Sequence, residues 1–409
     1  MQPESTLIDM DGVSLLDIAS EFGTPLYVYD GNKIKEKYNE LTQAFSDIKL
    51  KVKYACKANT NINIMKLLRE EGSGLDTVSI NEIRLGLIAG FDPSEILFTP
   101  NGVSIQEIED AVGLGVNINI DNISVLEHFG HKYKGSVPVC IRVNPHVMAG
   151  GNSHIQTGHI DSKFGISIHQ MRHVMRVVKA HDMHIVGIHM HTGSDIVDAE
   201  VFTRASELLF DAALNFDQLE YIDLGSGFKV SYRHDDVTTD VERLGKILGK
   251  RFKEFCQEYG KELELWFEPG KFLVSEAGSF LVKVNVVKQT VSTVFAGVDS
   301  GQNHLIRPMM YDAYHHITNV SNPEGVNRVY SVVGYVCETD TFGYDRVLNE
   351  VREGDILCIS NAGAYGFTMS SNYNSRLRPA EVMILDGKAQ LIRQRETFED
   401  LVRNQIEAI

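Results

Sequence analysis

Lys57 stands at a break in the local pattern. The stretch KVKYAC (51–56) alternates Val52, Tyr54 and Cys56 with Lys51, Lys53 and Ala55, as a pleated strand does, and the helix-forming run TNINIMKLLREEG follows. A lone lysine at such a turn is ordinarily a surface group. Its company is less ordinary, because other reactive side chains close other apolar segments. Asp76 lies in LDTVS, Arg142 and Asn144 in RVNP, and His189, His191 and Ser194 in HMHTGSD. Gly225, Ser226 and Gly227 lie in DLGSGF, and Glu268 in FEPGK.

The glycine-rich DLGSGF would let backbone N–H groups approach an anion such as phosphate, although a tight strand–helix turn explains it equally well. Glu268, ending an apolar strand, calls for a cationic partner, and a structural ion pair would satisfy it. His189 and His191 share one side of a strand, the arrangement of a zinc pair. No second set of histidines stands at the other strand ends, so no metal is expected. A lysine, a phosphate cradle and a buried carboxylate together describe a site for pyridoxal 5'-phosphate. There a carboxylate keeps the ring nitrogen protonated, which favours loss of CO2 over racemisation.

These residues must be held by a scaffold, and the chain alternates short apolar strands with amphipathic helices from Lys49 to Glu268. The strands are KLKVKYAC, LDTVS, ILFT, VNINI, VPVCIRV, HIVGIHM, LEYIDLG and LELWFEP. Helices are expected over 80–89 (closed by Gly90), 104–114 (capped by Ser104), 167–181, 198–216 and 240–259. Eight alternations in some 220 residues are the measure of a (β/α)8 barrel, whose chemistry collects at the carboxyl ends of its strands. A doubly wound sheet ranks second, because no GxGxxG follows the first strand. After Gly270 strand-like runs succeed one another, FLVSEA, FLVKVNVVK, TVFAGV, VYSVVGYV, DILCI, EVMIL and AQLIR, which predicts an all-β second domain, a β-sandwich or Greek-key barrel. The expected boundaries are 1–30 for an N-terminal segment packing with the β-domain (a helix over 14–22, then the strand PLYVY), 31–275 for the barrel and 276–409 for the β-domain.

A net charge of −16 on 409 residues argues against a nucleic-acid or anionic-membrane partner. No apolar run is long enough to span a bilayer, and the N-terminus does not read as a secretion signal. Five scattered cysteines without CxxC spacing fit a reducing compartment, so a cytoplasmic location is expected.

Nearly end to end, the chain resembles the diaminopimelate decarboxylases, fold type III pyridoxal phosphate enzymes related to alanine racemase and ornithine decarboxylase. The shared motifs are TPLYVYD, YACKAN, RVNP, SKFGI, HTGSDI, EPGK, IRPMMYDAYHHI, CETDTFG and GAYGFTMSSNYNSRLRPAEV. The resemblance implies Lys57 as the Schiff-base lysine, His191 stacked on the cofactor ring, and Asp76 and Ser194 near the cofactor. It implies Gly225, Ser226 and Gly227 as the phosphate loop, Glu268 with Pro269 and Gly270 at the ring nitrogen, and Tyr365 touching cofactor and substrate. Arg307, Tyr311 and Glu338 are implied to grip the far end of the substrate, and Cys337 to be a proton donor. Cys337 and Glu338 would come from the partner chain of a homodimer.

Two departures stand out. The phosphate loop of relatives usually has three glycines, and here Ser226 is the middle residue. Lys271 replaces the usual arginine of EPGR; it keeps the charge and loses the planar fork, and is expected to contact substrate or cofactor with less geometric selectivity. The implied reaction is decarboxylation of meso-2,6-diaminopimelate to L-lysine, the last step of lysine biosynthesis. Alternatives are decarboxylation of ornithine, arginine or a carboxylated polyamine, and a non-catalytic regulatory homologue.

Overall fold

The computed structural model describes residues 8–147, 162–191, 193, 195–233 and 235–408. They form two compact units. One contains Lys35–Val230 and Val237–Phe272; the other contains the described residues through Ile34, those of Ser231–Asp236, and those from Leu273 onward.

The first unit is a closed barrel of eight parallel strands: β1 (Leu50–Ala55), β2 (Gly74–Thr77), β3 (Ile96–Phe98), β4 (Asn117–Ile120), β5 (Val139–Asn144), β6 (Ile185–His189), β7 (Tyr221–Asp223) and β8 (Glu264–Phe267). Each pairs with the next, and β8 pairs with β1 to close the ring. The intervening helices begin where side chains can take up unpaired N–H groups. Ser79, Ser104, Asn122, Asp198 and Asp240 all accept from backbone in this way. The helices observed, Ile80–Ile88, Ile105–Gly113, Met171–Ala180, Ala199–Ala213 and Val241–Tyr259, lie inside the spans expected from periodicity.

The alternation in KVKYAC misleads about Lys53, which is as buried as its neighbour Tyr54. A barrel strand is covered on both faces, by helices outside and by other strands inside, so neither set of alternate residues faces water. Lys53 places Nζ 4.4 Å from the Trp266 ring centroid and donates to the Glu95 carbonyl at 2.9 Å. Burial, opposed by Glu95, lowers its pKa to about 8. Lys53 shares its side of the strands with Leu97, Cys140, Tyr221 and Trp266. The Tyr221 and Trp266 rings stack at 3.5 Å and 2°. Gly187 makes room for them: a Cβ there would lie 2.3 Å from the Tyr221 ring.

In the second unit, the strand Leu26–Asp30 pairs antiparallel with the first half of the long strand Gly278–Gln289 and parallel with Ala380–Leu385. The second half of Gly278–Gln289 carries Val294–Val298, which leads on to Asn327–Val333 and Thr341–Asn349. Ile356–Ile359 branches from its first half and pairs in turn with Ile317–Asn319. Ser231–Asp236 groups with this unit: Asn361 donates to the Ser231 carbonyl at 2.7 Å, and Tyr232 Oη lies 3.1 Å from Ser275 Oγ. The run FLVSEA is not a strand. Lys271–Val274 is a short helix, since three consecutive apolar residues, Phe272, Leu273 and Val274, fit a buried helical turn as well as a strand.

Gly187→Ala is expected to destabilise the chain by about 1–3 kcal/mol, because the added methyl must displace the Tyr221 ring. Urea unfolding monitored by Trp266 fluorescence measures it.

Candidate active site

Residues of one parity along the barrel strands that form the Tyr221–Trp266 floor continue upward into the polar cluster: Asp76, Arg142, His189, Asp223 and Glu268. Lys57 belongs to the single 3-10 turn Cys56–Ala58 that ends β1, and its Nζ lies 3.5 Å from Asp76 Oδ2. Its side chain is 42% exposed while that of Asp76 is 1% exposed, so the amine is held by a carboxylate rooted in the barrel.

Glu268 follows β8 directly. Its backbone N–H donates to the Gly225 carbonyl at 2.6 Å, which ties the eighth strand end to the seventh. Oε2 lies 3.3 Å from His189 Nε2. This is a close polar contact rather than an aligned hydrogen bond, and Glu268 Oε1 is buried without a hydrogen-bond partner. Burial alone would raise the Glu268 pKa; His189, Lys57 and Arg142 outweigh it and hold the carboxyl well below its usual range. Asp223 goes the other way. Burial and then the charge of Glu268 push its pKa far up, so Asp223 carries the proton of this pair. Burial, followed by repulsion from Glu268, also raises Asp76, to about 7, against the pull of Lys57.

The loop after β7 carries Gly225 and Gly227 at φ 64° and 137°, which side chains with a Cβ rarely adopt. A Cβ on Gly225 would meet His191 Nδ1 and the Met190 carbonyl at 2.7 Å, and one on Gly227 the Gly193 carbonyl at 2.5 Å. Between them, Ser226 donates its backbone N–H to His191 Nδ1 at 3.3 Å. Burial, then the charges of Arg142 and Lys57, lowers the His191 pKa to about 3, so this imidazole is neutral. Pro269 accepts from Ala55 at 3.2 Å, and Gly270 packs near Ala55 and Ala58, joining EPG to the turn that bears Lys57. Lys271 pairs with Asp195. Ser194 lies outside the described residues.

The β-unit brings together two further sets. Arg307 begins the helix Arg307–Tyr311, donates to Tyr232 Oη at 3.2 Å, and sets its guanidinium 5.6, 5.8 and 5.9 Å from the rings of Tyr232, Tyr311 and Tyr365. Its Nε is buried without a hydrogen-bond partner. Tyr365 holds φ 56°, a left-handed conformation that costs energy for a tyrosine. Cys337 and Glu338 form the other set, both exposed within the single chain. Asn374 reaches the Cys337 backbone N–H at 3.3 Å and its Sγ at 3.5 Å, while Tyr373 and Gln302 donate to Glu338.

Sequence reasoning left out of the site Asp223, Asn119, Asp195 and Tyr232, and assigned no role to His189 or Arg142. Asp223 opens the very motif DLGSGF, and strand parity, counted from Glu268 and Asp76, would have brought in Arg142 and His189.

Because the unfolded chain releases the Asp76 proton near pH 4 and the folded chain near pH 7, this group withdraws stability as pH rises through that window. Asp76→Asn is therefore expected to gain stability relative to the unsubstituted chain between pH 4 and 7. Urea unfolding of the ligand-free chain across this range checks it; a stability difference that does not grow with pH contradicts it.

Residues 31–275 match the model of the pyridoxal-dependent decarboxylase, pyridoxal binding domain. The diaminopimelate decarboxylase of Methanothermobacter thermautotrophicus is 43% identical over 404 residues, 96% of this chain and 94% of the relative. The crystal structure of the Helicobacter pylori diaminopimelate decarboxylase with L-lysine superposes with a TM-score of 0.87 at 33% identity, covering 95% of this chain and 98% of that one. The M. jannaschii enzyme, also with L-lysine, gives 0.88 at 32% identity over 98% and 96%. With its whole barrel inside the family match and near-complete coverage of these relatives, the chain belongs to the pyridoxal-dependent decarboxylase family and groups there with the diaminopimelate decarboxylases.

Proposed function

We propose that this chain removes CO2 from meso-2,6-diaminopimelate to give L-lysine, the final step of lysine biosynthesis. The observation that carries the reading is Glu268: an ionised carboxylate, buried at the barrel mouth, with Oε1 unpartnered. The residues fit pyridoxal 5'-phosphate. Glu268 would meet its ring nitrogen, the loop at Gly225, Ser226 and Gly227 would bring backbone close to the phosphate, since no Cβ fits at its two glycines, and Lys57 would supply the tethering amine. When bound, the coenzyme supplies an electron sink for the pair left behind as CO2 departs.

The chain's own residues do the rest. Neutral His191 lies against the loop, where it would give the coenzyme ring a flat face, and Asp76 holds the Lys57 amine in place. Pro269 and Gly270 fix Glu268 to the turn that bears Lys57. Diaminopimelate carries a second amino acid group at its far end, and receiving it requires a cation and an anion. Arg307, framed by Tyr311 and Tyr365, supplies the first; Glu338 supplies the second. An ornithine-type substrate presents only an ammonium there and makes no use of the arginine. Cys337 returns the proton that replaces CO2. Lys271, paired with Asp195, adds positive charge on the barrel side.

We further take the working unit to be a homodimer in which Cys337 and Glu338 serve the partner's barrel; both are exposed in the single chain. Residues 31–275 act as the coenzyme-binding part, with 1–30 and 276–409 as the β-domain. No helix among the described residues is long and apolar enough to cross a membrane, and unpaired thiols fit the cytoplasm.

Measured CO2 release should be fastest from diaminopimelate in a panel with ornithine, arginine and a carboxylated polyamine, and absent from Lys57→Ala; a preference for ornithine overturns the substrate argument. Cys337→Ala and Lys57→Ala, each inactive alone, should recover part of the activity when their subunits are exchanged. No recovery after demonstrated exchange rules out shared sites.

A further inference from the structure

His189 is fully buried on β6, two strands from Asn119 on β4 and two from Glu268, which follows β8. Its two ring nitrogens meet different neighbours. Nε2 faces Glu268 Oε2 at 3.3 Å, and Nδ1 faces Asn119 Nδ2 at 2.9 Å. The charged groups nearby are Glu268 on β8, Arg142 on β5 and Lys57 after β1. Burial first, then the two cations, lowers the His189 pKa despite Glu268, so the ring is neutral and has one proton to place.

A neutral imidazole with a lone pair aimed at an ionised carboxylate would be repelled, so the proton belongs on Nε2. Nδ1 is then an acceptor and needs a donor, which an amide nitrogen provides and an amide oxygen would not. We propose that Asn119 is a positioning residue of the decarboxylase: its amide N–H fixes His189 as the Nε2–H tautomer, whose proton faces Glu268 Oε2 and leaves Oε1 for the ring nitrogen of the coenzyme. Asn119 lies on β4 and hydrogen-bonds the His189 ring, through which it acts. The same orientation leaves Asn119 Oδ1 buried without a hydrogen-bond partner.

The inference rests on the coenzyme reading only for the use made of Oε1; the tautomer itself is read without it. The test is the ring 15N spectrum of His189 in the coenzyme-loaded full chain, assigned by subtraction with His189→Gln. The expected result is an unprotonated Nδ1 and a protonated Nε2. Asn119→Asp keeps the size and removes the donor; it should move the proton onto Nδ1 and raise the coenzyme dissociation constant about tenfold. A protonated Nδ1 in the unsubstituted chain overturns the proposal, and so do His189 nitrogen signals that Asn119→Asp leaves unchanged. Normal signals with no coenzyme uptake would instead count against the pyridoxal phosphate reading alone.

Discussion

Three buried carboxyl groups share the barrel mouth with two cations, and this imbalance sets the protonation of everything around it. Asp76, Asp223 and Glu268 cannot all be ionised beside Lys57 and Arg142 in a region closed to water. The conflict resolves by position. Asp223, farthest from relief, keeps its proton; Asp76 sits on the edge of ionisation with Lys57 as its partner; Glu268 takes the full charge because His189, Lys57 and Arg142 all favour it. On the proposed function, a coenzyme nitrogen placed at this cluster would meet a negative charge already in place, and the protein would not have to reorganise to create it.

That cluster depends on the pleat of the barrel. Side chains of one parity run from Lys53, Leu97, Cys140, Tyr221 and Trp266 at the floor to Asp76, Arg142, His189, Asp223 and Glu268 at the rim. The opposite parity, Tyr54, Leu75, Ile96, Ile118, Ile141, Ile188, Ile222 and Leu265, is buried against the helices and fixes each strand's rotation. A slip of one residue in β5, β6 or β7 would exchange an isoleucine for an ionisable side chain. The large area buried on the outer face therefore protects the site's geometry, since the register that satisfies one face determines the other.

Much of this was legible in the chain. Strand ends carrying Lys57, His191, the DLGSGF loop and Glu268 were readable because barrel chemistry has a fixed address, and the helix starts were readable from Ser79, Ser104 and Asp240. Lys53 was not, because its alternation with Val52 and Tyr54 is identical for a half-exposed strand and a doubly covered one; only closure of the sheet decides. The helix Lys271–Val274 looked like a strand for a related reason, three apolar residues being too few to show a period. His189 lacked a role because its importance comes from Glu268, seventy-nine positions later by residue number, and no local pattern encodes that pairing.

The β-unit's contribution follows a different logic, preorganisation of a long flexible cation. A free arginine samples many rotamers and loses them on binding, which weakens the contact it makes. Arg307 has already lost them: the Tyr232 hydroxyl holds Nη2 and the rings of Tyr232, Tyr311 and Tyr365 surround the guanidinium plane. Burial leaves Nε without a partner, so the group retains hydrogen-bonding capacity that water cannot fill cheaply. A carboxylate is the natural claimant, because its charge answers the guanidinium and its oxygens match the N–H directions. An ammonium would be repelled at the same place. On the proposed function, the discrimination between substrates that end in an amino acid group and those that end in an amine would thus be built in before any substrate arrives, by three tyrosines that hold one arginine still.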